Sequence, residues 1–257
     1  MKISGDFRAK VLARKWVGGS FINLGSALTA EIAGNCGYDW LLLDHEHGAG
    51  SDETLRQQLQ AAGCTASVPI VRIAYNEIAR FKRALDLGAH GIMVPWVNTA
   101  AEAAAAVSAT RYPPRGVRGV AKFNRGAGFG TTFEEYYTHA HEWITLATQI
   151  ETPEGVANAD AIAAVDGVDV LFVGPTDLSY TMGIRDQLSH PKFVEALKQV
   201  ADAARRHGKA AGILVQTQDM VEKCRDLGYT FMALGSDGGS VAAGLKANAQ
   251  ILKQTAK

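Results

Sequence analysis

Residues 44–47 read Asp-His-Glu-His and follow directly on three leucines at 41–43. Ionised groups are costly to bury unless paired, hydrogen-bonded or bound to a metal. The stretch is therefore either a strand surfacing into water or the floor of a site. Three readings stay open. His45-x-His47 has the spacing of a metal pair. Asp44 could orient His47 as a general base, a carboxylate fixing the tautomer of the ring and raising its basicity. Or all four are solvated loop residues. Two further carboxylates follow apolar runs, Glu151 in QIETPEG and Asp177 in GPTDLS. Oxygen ligands with no His or Cys in either motif suit a hard cation such as Mg2+, commonly held by one or two carboxylates with several waters. The same side chains would also serve as caps for orphan N–H groups at helix starts. The GPTD backbone could itself seat a carboxylate or phosphate at a helix start. Arg72, in VPIVRIAYN, is either a cation snorkelling to the surface or a fixed guanidinium facing an oxyanion.

Groups this far apart in the chain meet only if the fold converges on them. Short apolar runs alternate with helix-length amphipathic stretches along the 257 residues. The runs lie at 16–23, 38–44, 68–73, 90–97, 143–151, 168–174, 209–215 and 229–235. Between them, Ser51 is placed to cap a helix that carries acids in its first turn and ends at Gly63. Thr99 with Glu102 forms a capping box ahead of an Ala-rich helix. A ninth apolar piece at 118–122 falls inside a Pro-, Gly- and Arg-rich stretch, 112–137, and is assigned to loop. Loops this long in a compact domain are usually functional or mobile.

The apolar runs are continuous rather than alternating, as expected of a parallel sheet covered by helices. Strand–helix repetition at this length favours an α/β fold of the (β/α)8 TIM-barrel type over a doubly wound sheet. It is expected to be one domain over 1–257, with a last helix from about 240. Chemistry in such a barrel gathers at the C-terminal ends of the strands. Those ends offer Asn23, Asp44 to His47, Arg72, Trp96, Gln149 and Glu151, Asp177, Leu214 with Gln216, and Ser236 with Asp237.

Twenty-six Lys and Arg balance 26 Asp and Glu. Without a broad basic field, neither nucleic acid nor an acidic membrane is an expected partner. No apolar run is long enough to span a bilayer, and the N-terminal stretch lacks the apolar core of a secretory signal. Cys36, Cys64 and Cys224 are an odd, widely spaced set and no disulfide framework. They read as small buried hydrophobes in a reducing, cytoplasmic setting.

Seven ordered segments, GYDWLLLDHEH, PIVRIAYN, LDLGAHGIMVPWV, ATRYPPRGVRGV, QIETPEGVAN, VDVLFVGPTDLSYTMG and GKAAGILV, together resemble the HpcH/HpaI aldolases. These are metal-dependent class II pyruvate aldolases. The resemblance implies a (β/α)8 barrel with an extra C-terminal helix exchanged between subunits, commonly in a hexamer. It implies reversible cleavage of a 4-hydroxy-2-keto acid to pyruvate, or hydroxypyruvate, and an aldehyde. Glu151 and Asp177 match the ligands of a divalent cation, Mg2+, Mn2+ or Co2+. Arg72 matches the arginine on the keto oxygen, and Gln149 a polar contact to substrate. His47 matches the catalytic base, with Asp44 as its partner. Gly174, Pro175, Thr176 and Asp177 match the seat of the pyruvate carboxylate. Leu214 matches a lining of the aldehyde pocket, and Asp86 a residue lent to a neighbouring subunit's site.

The sequence departs from that pattern at His45, where the family often has glycine, and at Phe21, where some members have tryptophan. Both are expected near the mouth and bear on donor and acceptor preference. No Schiff-base lysine is needed; Lys122 is the one lysine placed near the mouth. An amidohydrolase site would want its His pair on the first strand and more His at later strand ends. His139, His141, His190 and His207 fall in helical or loop context instead. Two other functions use the same features. A lyase acting on a CoA thioester such as citryl- or malyl-CoA would share the carboxylates but need a nucleotide groove. A non-catalytic phosphate-binding barrel would use GSDGGS, 235–240, as an anion nest.

Overall fold

The computed structural model describes residues 3–255. Its strands are β1 (Val17–Ile22), β2 (Trp40–Asp44), β3 (Val68–Arg72), β4 (Gly91–Val94), β5 (Thr145–Ile150), β6 (Val170–Val173), β7 (Ala210–Val215) and β8 (Phe231–Ser236). Each pairs in parallel with the next, and β8 closes on β1. The chain is a (β/α)8 barrel. The stretch at 118–122 forms no strand.

Helix α1 (Asp6–Leu12) precedes β1. The helices between strands are α2 (Ala27–Asn35), α3 (Asp52–Ala62), α4 (Ile78–Asp86), α5 (Ala100–Thr110), α6 (Phe133–Trp143), α7 (Pro153–Ala157), α8 (Ala159–Ala163), α9 (Pro175–Thr181), α10 (Pro191–Arg206) and α11 (Gln218–Asp226). Helix α12 (Asp237–Thr255) follows β8. Local signals placed several starts correctly. Ser51 and Thr99 each form a full capping box, with Thr54 and Glu102. The irregular stretch is shorter than expected, because its last residues enter α6 at Phe133.

Strand side chains alternate between two faces, and here both faces are apolar. Phe21, Trp40, Leu42, Ile70, Phe172 and Phe231 belong to the core inside the barrel. Leu41, Leu43, Val71, Leu171 and Ile213 pack outward under the helices. This accounts for the unbroken apolar runs. Trp40 stacks on Phe231 at 4.2 Å between ring centroids. Its indole fits because Gly19 has no side chain: a Cβ there would lie 2.3 Å from the ring.

Helix α1, for which the sequence carried no expectation, packs on this inner core through Val11 and Phe7. Arg8 pairs with the fully buried Asp169 at 2.9 and 2.8 Å. The irregular stretch is pinned by Arg118, which is buried, donates to Tyr136 and Asp86, and lies 4.4 Å over the Tyr112 ring.

Two expectations about the cysteines fail. Cys224 is buried, but Cys36 and Cys64 are exposed, because they stand just past the ends of α2 and α3. Helix α12 buries none of its described residues, and Val241, Leu245 and Leu252 are exposed along it. Among the described residues no helix is long and apolar enough to cross a membrane.

Candidate active site

The strand ends open onto a pocket of about 420 Å3. Asp44, His47, Arg72, Gln149, Glu151 and Asp177 line it, with Leu214 and the turn Gly174–Thr176. Strand periodicity explains the convergence. Asp44 comes two residues after the inward Leu42, Arg72 two after Ile70, and Gln149 two after Ala147, so each side chain faces the mouth. Phe21 and Phe172, 6.1 Å apart, also line the pocket, one layer above the Trp40–Phe231 stack.

Asp44 and Arg72 are register partners on β2 and β3. Arg72 donates from Nε and Nη2 to the two Asp44 oxygens, at 2.9 and 2.7 Å. Its Nη1 lies 3.0 Å from Glu46 Oε2, and its guanidinium 5.3 Å over the Phe21 ring. Both partners are buried. Arg72 is therefore a fixed cation at the pocket floor rather than a snorkelling one. Burial by itself would raise the Asp44 carboxyl. The Arg72 hydrogen bonds and charge, with the N–H groups of Glu46 and His47, outweigh it and hold Asp44 below the usual value. Glu46 is pushed up, chiefly by burial and in part by Asp44 and Asp177, against the pull of Arg72 and His47.

The expected Asp44–His47 side-chain pair does not form. Asp44 accepts the His47 backbone N–H at 3.3 Å, while the His47 ring is exposed at the rim with Nε2 3.8 Å from Glu46. The bidentate guanidinium occupies both Asp44 oxygens. The His45-x-His47 metal pair does not form either. The His45 ring turns away from the mouth, bonds Gln58 at 3.2 Å, and lines a separate cavity beside Gly50 and Ser51. Adjacent residues leaving a strand point to opposite sides, so His45 is not at the mouth as expected. Phe21 is.

Glu151 is buried behind the end of β4. It accepts the Trp96 N–H at 3.0 Å and the Gln149 amide at 3.0 Å. Trp96 reaches it with φ 53°, a left-handed conformation that non-glycine residues adopt at a cost. Gly174 makes room on the other side: a Cβ there would lie 2.3 Å from Glu151 Oε1. Burial, with the charges of Glu46 and Asp177, pushes Glu151 up to about 7 against the Trp96 hydrogen bond and Arg72.

Neither carboxylate is a helix cap. Thr152 caps α7. Asp177, third in α9, makes no capping hydrogen bond. Among the described residues its carboxylate has no hydrogen-bond or ion-pair partner, and the buried Gln149 Oε1 is also unpaired. An ionisable oxygen held near neutrality, a free carboxylate and an orphan amide oxygen make a donor set that fits a hard divalent cation. No cluster of three or more His, Cys, Asp or Glu suited to a metal occurs among the described residues. Water and substrate oxygens would complete such a shell.

Other named residues lie outside this pocket. Asp86 ends α4 and pairs with Arg118 at 3.0 Å, outside this pocket. Lys122 lies over the Phe133 ring, also outside it. His139 and His141 are on α6, and His190 and His207 flank α10. The GSDGGS turn is filled by its own chain: Gly238 N–H donates to Asp237 and Gly239 N–H to Ser236. Sequence reasoning missed Phe172 as a pocket wall, although it stands two residues before Gly174. It also missed the Trp96 backbone, which no side-chain pattern announces.

The model of the HpcH/HpaI aldolase/citrate lyase family matches residues 18–243. A 5-keto-4-deoxy-D-glucarate aldolase of Salmonella arizonae is 41% identical over 248 residues, 96% of this chain and 96% of the relative. The crystal structure of an HpcH/HpaI aldolase/citrate lyase family protein from Burkholderia cenocepacia superposes with a TM-score of 0.91 at 33% identity, covering 99% of this chain and 100% of that one. That of an HpcH/HpaI aldolase from Desulfitobacterium hafniense gives 0.88 at 28% identity, covering 96% of each.

Proposed function

This chain belongs to the HpcH/HpaI aldolase/citrate lyase family and is a carbon–carbon lyase of the aldolase type, and we propose that it reversibly cleaves a 4-hydroxy-2-keto acid to pyruvate, or hydroxypyruvate, and an aldehyde. The observation that carries this reading is the convergence of Arg72, Glu151 and Asp177 on one pocket. Glu151 and Asp177 would hold a divalent cation, Mg2+, Mn2+ or Co2+. When bound, that cation supplies Lewis-acid stabilisation of negative charge on the keto oxygen.

Arg72 contributes to the same end. Of its five N–H groups, two donate to Asp44 and one faces Glu46. Among the described residues the remaining two have no partner, and, held by that fork, they can meet an oxyanion as preorganised donors that need not reorient as charge develops. Gln149 contacts the substrate beside it. The Gly174–Thr176 turn lines the pocket next to Asp177 and takes the carboxylate. In cleavage, His47 accepts the proton of the 4-hydroxyl. The C3–C4 bond breaks, its electron pair passes to the enolate of the keto acid, and the aldehyde forms at C4. Asp44 assists by fixing Arg72 and the turn that carries His47. Leu214 and Phe21 line the wall where the aldehyde leaves.

We also place the enzyme in the cytoplasm as a homo-oligomer. The apolar stripe Val241, Leu245 and Leu252 of α12 would be buried against the exposed Leu28 and Ile32 face of α2 in another copy, with Asp86 lent across a subunit boundary. Pyruvate release followed with lactate dehydrogenase, over a panel of 4-hydroxy-2-keto acids with and without metal, tests the reaction. Turnover lost in EDTA and restored by Mg2+, Mn2+ or Co2+ is expected. Covalent trapping by borohydride with pyruvate would overturn it, and cleavage confined to CoA thioesters would favour the citryl- or malyl-CoA type of lyase.

A further inference from the structure

His47, the base of the proposed cleavage, has no side-chain anchor. Asp44 accepts only its backbone N–H. Among the described residues its ring makes no hydrogen bond, and Nε2 stands 3.8 Å from Glu46 Oε2 at the exposed rim. The ring is therefore placed by the backbone of the turn between β2 and α3, residues 45–50. On the pocket side that turn is well held. Asp44 Oδ1 accepts the N–H groups of Glu46 and His47, at 3.1 and 3.3 Å, and the Asn23 carbonyl accepts that of Ala49 at 2.9 Å. On the outer side lies a cavity of about 600 Å3, so close packing does not hold the turn there.

His45 spans that side. Its ring meets Gly50 at the far end of the turn, where a Cβ would come within 2.7 Å of Cε1, and its Nε2 lies 3.2 Å from Gln58 Oε1 on α3. The amide oxygen accepts, so the ring carries its proton on Nε2. Burial holds the ring below the usual histidine value, which keeps it neutral. Gln58 is an unusual occupant of its place. It is buried on the same helix face as Leu55, Leu59 and Ala62, and among the described residues its Nε2 has no partner. A buried polar group left unpaired costs stability, and a leucine would fill the place without that cost. What the glutamine adds is an acceptor for His45.

Building on the aldolase reading, we infer that His45 and Gln58 are positioning residues, which clamp the outer side of the turn and so fix His47 over the reacting hydroxyl. A base works only within hydrogen-bond reach of its proton, and a misplacement of about 1 Å costs up to about 100-fold. Neither clamp side chain lines the pocket. The clamp therefore bears on proton transfer and leaves Arg72, Glu151 and Asp177 to the enolate.

Two reactions of the Mg2+-loaded protein separate these roles. Cleavage of 4-hydroxy-2-oxopentanoate, or of whichever panel member turns over fastest, needs a base for the 4-hydroxyl proton. In decarboxylation of oxaloacetate the C3–C4 bond breaks, carbon dioxide leaves, and the electron pair passes to the same enolate with no hydroxyl proton to accept. His45→Ala and Gln58→Leu should each lower kcat for cleavage by about 10- to 100-fold, with KM and decarboxylation nearly unchanged. His45→Gln, whose amide N–H reaches the place of Nε2, should recover most of the cleavage. Gln58→Leu should keep or raise the urea midpoint, which a purely structural role would lower. Amide hydrogen exchange over 45–50, read without cation, should speed up in His45→Ala and not in His45→Gln. Unchanged cleavage in His45→Ala, or a parallel loss of decarboxylation, would overturn the clamp alone. No cleavage of any panel member by the wild type with Mg2+, Mn2+ or Co2+ would overturn the aldolase reading and the clamp with it.

Discussion

Asp44 grips Arg72 through both carboxylate oxygens, at 2.9 and 2.7 Å, and meets His47 at its backbone rather than its ring. The pair is buried, so removing one partner strands the other charge. Asp44→Ala should cost about 3–5 kcal/mol in urea denaturation. The double replacement Asp44→Leu with Arg72→Met should recover most of that stability and stay inactive. Asp44 is held below its usual value. Its contribution is thus fully present above the unfolded value near 4 and is lost as pH falls through the lower folded value. A double variant with the same acid sensitivity as wild type would exclude the pair as its source.

Glu151 sets the opposite slope in cation-free protein. Its folded value of about 7 exceeds the ordinary 4.5. Between the two the folded protein keeps a proton that the unfolded chain has released, so stability falls as pH rises through that window. In EDTA, Glu151→Gln should be more stable than wild type at pH 8, by about 3 kcal/mol, with the advantage gone by pH 4. Parallel pH–stability curves would contradict this.

The space Gly174 leaves is filled by the Glu151 carboxylate. Gly174→Ala should displace that carboxylate, weaken divalent-cation binding in calorimetry, and lower kcat/KM by about 100-fold. The unfolding midpoint should move little, because the change falls at the pocket rather than in the core. Unaltered cation affinity would refute the packing argument.

Trp96 serves Glu151 through its N–H alone, from a left-handed φ. Glycine adopts that conformation freely and keeps the donor. Trp96→Gly should therefore retain activity within a few-fold, whereas Trp96→Pro, with neither the N–H nor the φ, should lose about 100-fold. Equal losses in the two would assign the role to the indole.

If α12 is exchanged between copies, charge on its apolar stripe or on α2 breaks the assembly. Leu245→Asp and Ile32→Asp should each shift the mass in light scattering to smaller species, as burying a carboxylate at an apolar contact is costly. An unchanged mass in both would remove the exchange.

Much of this protein was determined by its sequence alone. Eight apolar runs separated by capped helices specify the barrel, because strand and helix periods and capping residues are local signals. Once the barrel is granted, Asp44, Arg72, Gln149 and Glu151 must reach its mouth, because strand side chains alternate with period two. What only the tertiary structure decided is who pairs with whom. Asp44 takes Arg72 instead of the nearby His47, since the β2–β3 register puts the guanidinium directly beside it. His45 leaves the site because it steps to the outer side of the strand end. Trp96 enters the site by its backbone, α1 closes onto the inner core, and Cys36 and Cys64 come to the surface. Each of these depends on neighbours distant in sequence, and contact between distant residues is set by register and packing, which no local pattern encodes.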